Sequence, residues 1–196
     1  MSSIKIFDKE FVPYLDDSEI QVKISELAEQ LNKEYAGKKP LFLSILNGSF
    51  LFTADLFKKI NIEAEVCFIK LASYKGVSST GNVITAIGLD TNVSGRHVII
   101  LEDIIDTGKT LHHFLPQLTA QQPAEIKIAV LLNKKEALTF PVKVDYACFD
   151  IPNKFVVGYG LDYDGLGRNS KDIYRTHLHK PTLYRIGMSR NQSSPK

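Results

Sequence analysis

Three acidic residues and a turn rich in hydroxyl groups lie together near the middle of the chain. Glu102, Asp103 and Asp106 fall within five positions, and the turn Thr-Gly-Lys-Thr follows at residues 107–110. Two adjacent acids that end a buried strand are costly unless they meet a cation or hydroxyl groups, and the amide groups of a turn that opens a helix bind phosphate. The segment therefore predicts a site for a phosphorylated ligand that carries hydroxyl groups. In the plainer alternative, Asp106 caps the helix while Glu102 and Asp103 face solvent.

The glycines of the chain exclude two common nucleotide-binding motifs. A Walker A loop ending in Gly108-Lys109-Thr110 would need a glycine at position 103, where this chain has Asp103. The run Gly165-Leu166-Gly167 continues with Arg168 and lies outside any strand–turn–helix pattern, so it is not the dinucleotide fingerprint. The acidic segment is therefore neither a nucleoside-triphosphatase loop nor a dinucleotide site.

Short apolar runs alternate with helical patterns and place the acidic segment after the third of five predicted core strands. Those strands cover residues 41–46, 62–71, 97–101, 126–132 and 144–149. Strands that are apolar almost throughout indicate a parallel sheet covered on both faces, and hence an α/β fold. In such a sheet ligands bind outside the carboxyl ends of the strands, so we expect the functional side chains in the loops that follow them.

Helices and loops connect these strands. The first helix is predicted to open with a capping box of Ser18 and Gln21. Further helical patterns follow the first and third core strands, at residues 49–59 and 109–118. Small and polar residues over 73–81 predict a long loop, and residues 82–89 form a candidate strand.

The composition is that of an ordinary globular protein. Of 196 residues, 44% are hydrophobic and 23% are charged, which excludes a disordered tail and a collagen-like fibre. The formal net charge of +2 gives no electrostatic case for nucleic-acid binding. No apolar run approaches the roughly 20 residues that a membrane span needs, and the first residues lack the apolar core of a signal peptide. We therefore expect a soluble, cytoplasmic protein without a membrane partner.

Several stretches together resemble one enzyme family. Residues 98–110 resemble the phosphoribosyl-pyrophosphate (PRPP) signature of type I phosphoribosyltransferases, and the acids followed by Ile-Ile-Asp-Thr-Gly-Lys-Thr resemble its hypoxanthine-guanine, or 6-oxopurine, branch. The same branch is matched, in the same order along the chain, by Leu46-Asn47-Gly48-Ser49, Ser73-Tyr74, Lys134, the run from Ile151 to Tyr163, and Arg168. The resemblance covers roughly residues 40 to 170.

The resemblance implies a fold and a reaction. The fold is that of the type I phosphoribosyltransferases, with a central, mostly parallel five-stranded sheet flanked by helices. A small hood, built from about residues 1–15 and 150–188, completes a single domain over residues 1–196. The implied enzyme transfers the 5-phosphoribosyl group of PRPP to hypoxanthine or guanine with Mg²⁺. It gives IMP or GMP and pyrophosphate through an oxocarbenium-like transition state.

The resemblance also assigns roles to residues. The substrate-binding residues are Leu46, Asn47, Gly48, Ser73, Tyr74, Glu102, Asp103, Asp106, Thr107, Gly108, Lys109, Thr110, Lys134, Phe155, Val156, Asp162 and Arg168. Asp106 is the catalytic residue, which takes or shares the purine N7 proton, and the predicted Mg²⁺ ligands are Glu102, Asp103 and Asp162. The turn at 106–110 holds the 5-phosphate.

The remaining roles concern pyrophosphate and the base. The family often has lysine where this chain has Asn47, and the preceding peptide bond can be cis; a backbone contact to pyrophosphate survives that change. Arg168 grips pyrophosphate. Phe155 stacks on the purine, Val156 offers its backbone, and Lys134 donates to the oxygen at position 6, because its ammonium group has donors only. Ordinary core packing is the alternative for Phe155 and Val156.

Two alternatives to this function stay open in the sequence. One is a xanthine-guanine phosphoribosyltransferase, which uses xanthine as well or prefers guanine over hypoxanthine, since position 2 of the purine is read mainly by backbone in this family. The other is a regulatory protein that senses PRPP on the same fold. The family resemblance further implies a homodimer or homotetramer.

Overall fold

The computed structural model of the protein describes residues 2–74 and 83–176. Along the chain its elements are β1 (Ile4–Ile6), β2 (Lys9–Leu15), α1 (Asp17–Glu34), β3 (Leu41–Leu46), α2 (Phe50–Phe57), β4 (Glu65–Tyr74), β5 (Val83–Ile87), β6 (His97–Ile105), α3 (Lys109–Thr119), β7 (Glu125–Asn133), β8 (Tyr146–Asp150), β9 (Val156–Val157) and β10 (Ile173–Thr176). No helix within these ranges is both long and apolar enough to cross a membrane.

A six-stranded sheet forms the centre of the fold, with the strand order β5-β4-β3-β6-β7-β8. The pairs from β4 to β8 are all parallel, and β5 pairs with β4 in the antiparallel direction. The predicted α/β fold with a mostly parallel five-stranded core is confirmed, and the candidate strand at 82–89 adds a sixth strand at the edge. The chain crosses from one side of β3 to the other after β5, so the strand order reverses between β3 and β6. Ligands bind at such a switch point.

Alternate residues of the central strands face two separate hydrophobic clusters. Phe42, Ile99 and Leu101 pack with the buried side chains of α1 and α2 on one face. Leu43 and Ile100 pack with α3 on the other face. Burial on both faces explains why these strands are apolar almost throughout, as expected for a parallel sheet. The same packing holds their carboxyl ends in a fixed arrangement.

A second, smaller sheet joins the two ends of the described chain. Its order is β1-β2-β10-β9, so β10 pairs with both β2 and β9. Phe11 and Val157 are fully buried between its strands and the 158–168 segment. This is the hood predicted for the fold, with N-terminal and C-terminal strands. The predicted hood residues 177–188 lie outside the described residues.

Two local predictions need correction. The N-cap of α1 is Asp16, whose carboxylate accepts from the Glu19 backbone while the Glu19 side chain accepts from the Asp16 backbone, so the capping box begins two residues before Ser18. The predicted loop at 73–81 also begins too early. Ser73 and Tyr74 are the last residues of β4, because antiparallel pairing with β5 carries the strand that far. The loop prediction for 75–81 falls outside the described residues.

Three buried hydroxyl groups fix the turn between β3 and α2. Ser44 Oγ lies 2.7 Å from both Ser49 Oγ and Thr53 Oγ1, and Ser49 Oγ donates to the Ile45 carbonyl at 2.5 Å. All three side chains are almost fully buried. The hydroxyls satisfy one another in place of water, so the turn at residues 46–49 is held to both the strand before it and the helix after it.

Removal of the central hydroxyl should therefore be costly. We expect Ser44→Ala to lower the free energy of unfolding by about 1–2 kcal/mol, because it leaves two buried hydroxyls short of a partner. Urea denaturation measures the change. Ser25→Ala is the matched control, since Ser25 Oγ donates to the Gln21 carbonyl within the half-buried face of α1. A Ser44→Ala cost no larger than that of the control would show that the hydroxyl cluster does not hold the turn.

Candidate active site

A cleft lies where β6 ends and α3 begins. It has a volume of about 110 Å³ and is lined by Glu102 and residues 104–111. The structure thus brings five predicted residues, 106–110, to one surface, which we call the phosphate loop. Gly108 adopts a left-handed conformation (φ 76°) and is the N-cap of α3. Behind the loop, the Thr107 carbonyl accepts from the Thr139 and Phe140 amides, each at 3.1 Å.

Glu102 and Asp103 lie within β6, three and two residues before it ends at Ile105. The strand predicted over 97–101 therefore ended too early, because parallel pairing with β7 continues to Ile105. Both acids are half-buried. Glu102 Oε2 is buried and has no hydrogen-bond partner. Burial, together with the charge of Asp103, raises the pKa of Glu102 well above its usual value. Burial also raises the pKa of Asp103 to about 6, against its backbone hydrogen bonds and the nearby charge of Arg168. Glu102 and Asp103 therefore do not face solvent as simple surface acids, and their negative charge is costly at this position unless a cation or hydroxyl groups meet it.

The turn after β3, residues 46–49, lies directly against Asp103. We call it the pyrophosphate loop after the role that the family resemblance implies for it. Its Leu46–Asn47 peptide bond is cis. A Cβ on Gly48 would overlap the Asp103 carboxylate, and a Cβ on Gly160 would overlap the Gly48 carbonyl oxygen. The absence of side chains at both glycines thus lets three segments meet: the end of β6, the pyrophosphate loop and the loop after β9.

An ion pair joins the phosphate loop to the end of β7. Lys134 Nζ lies 3.2 Å from Asp106 Oδ2, and the Lys134 amide donates to the Ile105 carbonyl at 3.0 Å. The two side chains differ in exposure: that of Lys134 is 5% exposed and that of Asp106 is 52% exposed. The pair therefore offers a donor and an acceptor side by side at the edge of the cleft.

Asp162 and Arg168 belong to the loop after β9, residues 158–168, which we call the hood loop. Arg168 Nη1 donates to the Gly160 carbonyl at 2.6 Å, and Nη2 contacts Asp162 Oδ1 at 2.6 Å. Asp162 Oδ2 accepts from the Gly165 amide at 2.7 Å. The charges of both residues act on Asp103 in opposite directions. The structure thus brings the hood-loop pair to the acids of β6.

The predicted purine-contacting residues lie at the start of β9. The Phe155 ring is 44% exposed and has the edge-on Tyr163 ring as a neighbour at 5.7 Å. Val156 is buried, and β9 pairs it with Arg175 of β10. Lys9 Nζ lies over the Phe155 ring, 5.6 Å from its centroid. Core packing therefore describes Val156 but not Phe155, which is partly exposed.

Ser73 and Tyr74 end β4, which is parallel to β3, so they lie at the same edge of the sheet as the pyrophosphate loop. All the predicted segments within the described residues thus reach one edge of the sheet or the hood loop above it.

The comparisons agree with this arrangement. The model of the phosphoribosyl transferase domain family matches residues 14–164. The hypoxanthine-guanine phosphoribosyltransferase of Lactococcus lactis is 44% identical over 171 residues, which are 87% of this chain and 91% of that protein. The Streptococcus thermophilus enzyme of the same name is 43% identical over 152 residues, 77% of this chain and 84% of that one. The crystal structure of a hypoxanthine phosphoribosyltransferase from Staphylococcus aureus matches with a TM-score of 0.79 and 34% identity, covering 85% of this chain and 91% of that chain.

The chain belongs to the hypoxanthine-guanine phosphoribosyltransferase family. The predicted family, its fold and a PRPP-dependent phosphoribosyltransferase of purine salvage are confirmed. Enzymes of this family generally use Mg²⁺.

Sequence reasoning missed three residues that support the site of this phosphoribosyltransferase. Gly160 packs on Gly48, and its flanking Tyr159 is buried with a left-handed φ of 49°. Asn133 Nδ2 donates to Asp150 Oδ1 at 2.9 Å and so joins the ends of β7 and β8 beside Lys134. The Gly-Tyr-Gly run was a signal for the first two, but the partner of Asn133 depends on strand order.

The buried acid predicts how stability changes with pH. The pKa of Asp103 is 3.8 in a model peptide and about 6 in the folded protein. Ionisation of Asp103 therefore lowers the free energy of unfolding. The loss is complete above pH 6, shrinks as the pH falls from 6 to 4, and is absent below pH 4. We expect Asp103→Asn to raise the free energy of unfolding at pH 8 by roughly 1–3 kcal/mol, and the gain to vanish near pH 4.

Urea denaturation in metal-free buffer at several pH values tests this expectation. Asp90→Asn, at an exposed position, is the control and should show no such pH dependence. A less stable Asp103→Asn variant at pH 8 would mean that the folded protein favours the charged carboxylate.

Proposed function

We propose that this phosphoribosyltransferase joins the 5-phosphoribosyl group of PRPP to N9 of a 6-oxopurine, hypoxanthine or guanine, and gives IMP or GMP and pyrophosphate. The observation that carries the proposal is the 3.2 Å contact between Lys134 Nζ and Asp106 Oδ2 beside the phosphate loop. A 6-oxopurine offers an oxygen acceptor at position 6 and, on the same edge, a proton donor at N7. A lysine donor beside a carboxylate acceptor matches that edge.

The proposed reaction makes one bond to ribose C1 and breaks another. The bond from C1 to the pyrophosphate oxygen breaks, and its electron pair leaves with pyrophosphate. N9 of the base forms the new bond to C1, which has oxocarbenium character as the leaving group departs. Asp106 accepts the N7 proton as N9 attacks, so that no positive charge stays on the base. The exposed position of Asp106 in the cleft supports this role.

The phosphate loop and the buried acids are proposed to hold the ribose phosphate. The amides and hydroxyls at residues 107–110 receive the 5-phosphate at the start of α3, while Glu102 and Asp103 face the ribose hydroxyls. The unpartnered Glu102 Oε2 supports this assignment, because ribose hydroxyls would supply the missing donors. Phe155 stacks on the base, and the Val156 backbone faces its six-membered ring.

The same acids suit Mg²⁺, a hard cation that prefers carboxylate and phosphate oxygens. Glu102 and Asp103, directly or through water, and Asp162 are the residues that would hold it. When bound, Mg²⁺ neutralises charge on the pyrophosphate and so stabilises the leaving group. Within residues 2–74 and 83–176, no three His, Cys, Asp or Glu side chains are grouped as a metal site. Mg²⁺ commonly takes phosphate oxygens of a substrate among its ligands, so a few carboxylates would suffice to hold it.

Pyrophosphate is proposed to bind between Arg168 and the pyrophosphate loop. The backbone at Asn47 and Gly48 faces the Asp103 end of β6, and the guanidinium of Arg168 suits bidentate contact with phosphate oxygens. Ser73 and Tyr74 approach from β4. In this proposal residues 1–196 act as a single domain under the hood, in a cytoplasmic homodimer or homotetramer.

A substrate panel tests the function. We expect turnover with PRPP, Mg²⁺ and hypoxanthine or guanine, none with adenine, and loss of turnover with a chelator, followed by absorbance. Lys134→Ala should raise the KM for hypoxanthine by about tenfold or more and weaken the rejection of adenine, because the position-6 donor is gone. Lys135→Ala is the matched control: its Nζ contacts Asp150 instead, and its selectivity should be that of the parent.

Two outcomes would change the assignment. Turnover chiefly with xanthine and guanine would replace hypoxanthine as the substrate. PRPP binding with no turnover on any base would favour the PRPP-sensing alternative.

The proton-accepting role of Asp106 has its own test. We expect Asp106→Asn to lower kcat by about 10²–10⁴-fold while PRPP binding with Mg²⁺, measured by calorimetry, stays within a few fold, because the amide cannot accept the N7 proton. Asp164→Asn, at an exposed hood-loop position, should leave both quantities unchanged. Parent-like turnover of the Asp106→Asn variant would exclude Asp106 as the base.

A further inference from the structure

One half-buried hydrogen bond links the hood loop to the helix that follows the pyrophosphate loop. The Tyr159 hydroxyl donates to Asp55 Oδ2 at 2.5 Å. Tyr159 is 2% exposed, and Asp55 lies in α2, six residues after the pyrophosphate loop ends at Ser49. The bond therefore connects the two loops that are proposed to grip pyrophosphate from either side.

The Asp55 carboxylate is held in place to accept this hydrogen bond by two further partners. Burial opposes its ionisation, but hydrogen bonds from Lys58, Tyr159 and Gln21 lower its pKa. Lys58 Nζ lies 2.7 Å from Oδ1, and Gln21 Nε2 donates to Oδ2 at 2.7 Å. These partners hold the carboxylate in place without Tyr159, so loss of the tyrosine hydroxyl does not leave Asp55 unpaired.

The backbone around Tyr159 couples its position to that of Gly160 and Arg168. Gly158, Tyr159 and Gly160 have left-handed φ values of 100°, 49° and 97°. A left-handed conformation is uncommon for a large side chain and persists where the surroundings fix it. The next residue, Gly160, packs against the Gly48 carbonyl, and the Gly160 carbonyl accepts from Arg168 Nη1. A shift of Tyr159 would therefore move both Gly160 and the Arg168 guanidinium.

We propose that the hydrogen bond from Tyr159 to Asp55 sets the position of Arg168 over the pyrophosphate loop. Tyr159 and Asp55 are therefore positioning residues for pyrophosphate binding. This inference rests on the proposed function of Arg168. Neither side chain touches the substrates; they act by holding the hood loop and α2 at a fixed separation. Displacement of a binding group by about 1 Å is enough to weaken binding or catalysis strongly.

Pyrophosphorolysis of IMP separates the two ends of the site. In this reverse reaction the C1–N9 bond breaks and a bond from C1 to a pyrophosphate oxygen forms. Tyr159→Phe keeps the packed ring and removes only the hydroxyl. We expect it to raise the KM for pyrophosphate by about tenfold while the KM for IMP stays within about twofold, since IMP is held by the phosphate loop, Lys134 and Phe155.

The partner residue supplies a rescue and a coupling test. Asp55→Asn keeps an oxygen that accepts from Tyr159 and should stay close to the parent. Asp55→Ala should reproduce the Tyr159→Phe effect, and the double variant should be no worse than either single variant, because both remove the same bond. Tyr163→Phe is the matched control: its hydroxyl donates to Asp8 Oδ1 at 2.7 Å, within the same loop but away from α2. We expect it to leave the KM for pyrophosphate unchanged.

Two results would overturn the inference. One is an unchanged KM for pyrophosphate in an active, folded Tyr159→Phe variant. The other is an equal rise in the KM for IMP and for pyrophosphate, which a general loosening of the fold would produce. Inactivity of the parent enzyme in both directions would instead contradict the proposed function itself.

Discussion

Partial burial of two carboxylates within a central strand is the constraint on which the site depends. Glu102 and Asp103 follow the apolar run of β6, and one Glu102 oxygen is buried without a partner. The fold itself leaves this Glu102 oxygen without a hydrogen bond, which is costly unless a ligand supplies the donor. The neighbouring backbone adapts to them in turn: Gly48 lies against Asp103, and Gly160 lies against Gly48. The packing of both faces of the sheet offsets this local cost and keeps the strand end rigid.

The sheet brings the loops to one edge, and a few polar contacts then fix their positions relative to one another. The hydroxyls of Ser44, Ser49 and Thr53 hold the pyrophosphate loop to β3 and α2. The Tyr159–Asp55 hydrogen bond holds the hood loop to α2 as well. Each set of contacts is at least half-buried, so each specifies one arrangement of the loop rather than a range of them.

The sequence predicted the parts of the structure that depend on local pattern. The strand from residue 41 to 46 has the predicted bounds, because a buried parallel strand is apolar throughout and is bounded by turn residues. The acidic segment was recognisable because acids rarely end such a strand. The residues proposed to contact the purine, such as Lys134 and Phe155, came from the family resemblance alone, because hydrophobic periodicity does not identify ligand contacts.

What the sequence could not predict depends on partners distant in the chain. The extension of β4 to Tyr74 comes from pairing with β5, and the N-cap at Asp16 was masked by a second plausible cap at Ser18. The Tyr159–Asp55 bond spans 104 positions, and the Asn133–Asp150 bond depends on which strand follows β7 in the sheet. Such pairs are fixed by topology, which propensity and spacing do not specify.

Under the proposed function, the ion pair between Lys134 and Asp106 has a consequence for how a base would be rejected. The two charges satisfy each other within the fold itself. A base with the matching edge would replace that pair with two new contacts and lose little. A base with an amino group at position 6 would have to separate the charges and would then present a donor to a donor. Selectivity of this kind would act by rejection. A base would bind only if it offered an acceptor to Lys134 and a donor to Asp106, because any other base would break the ion pair without replacing its contacts.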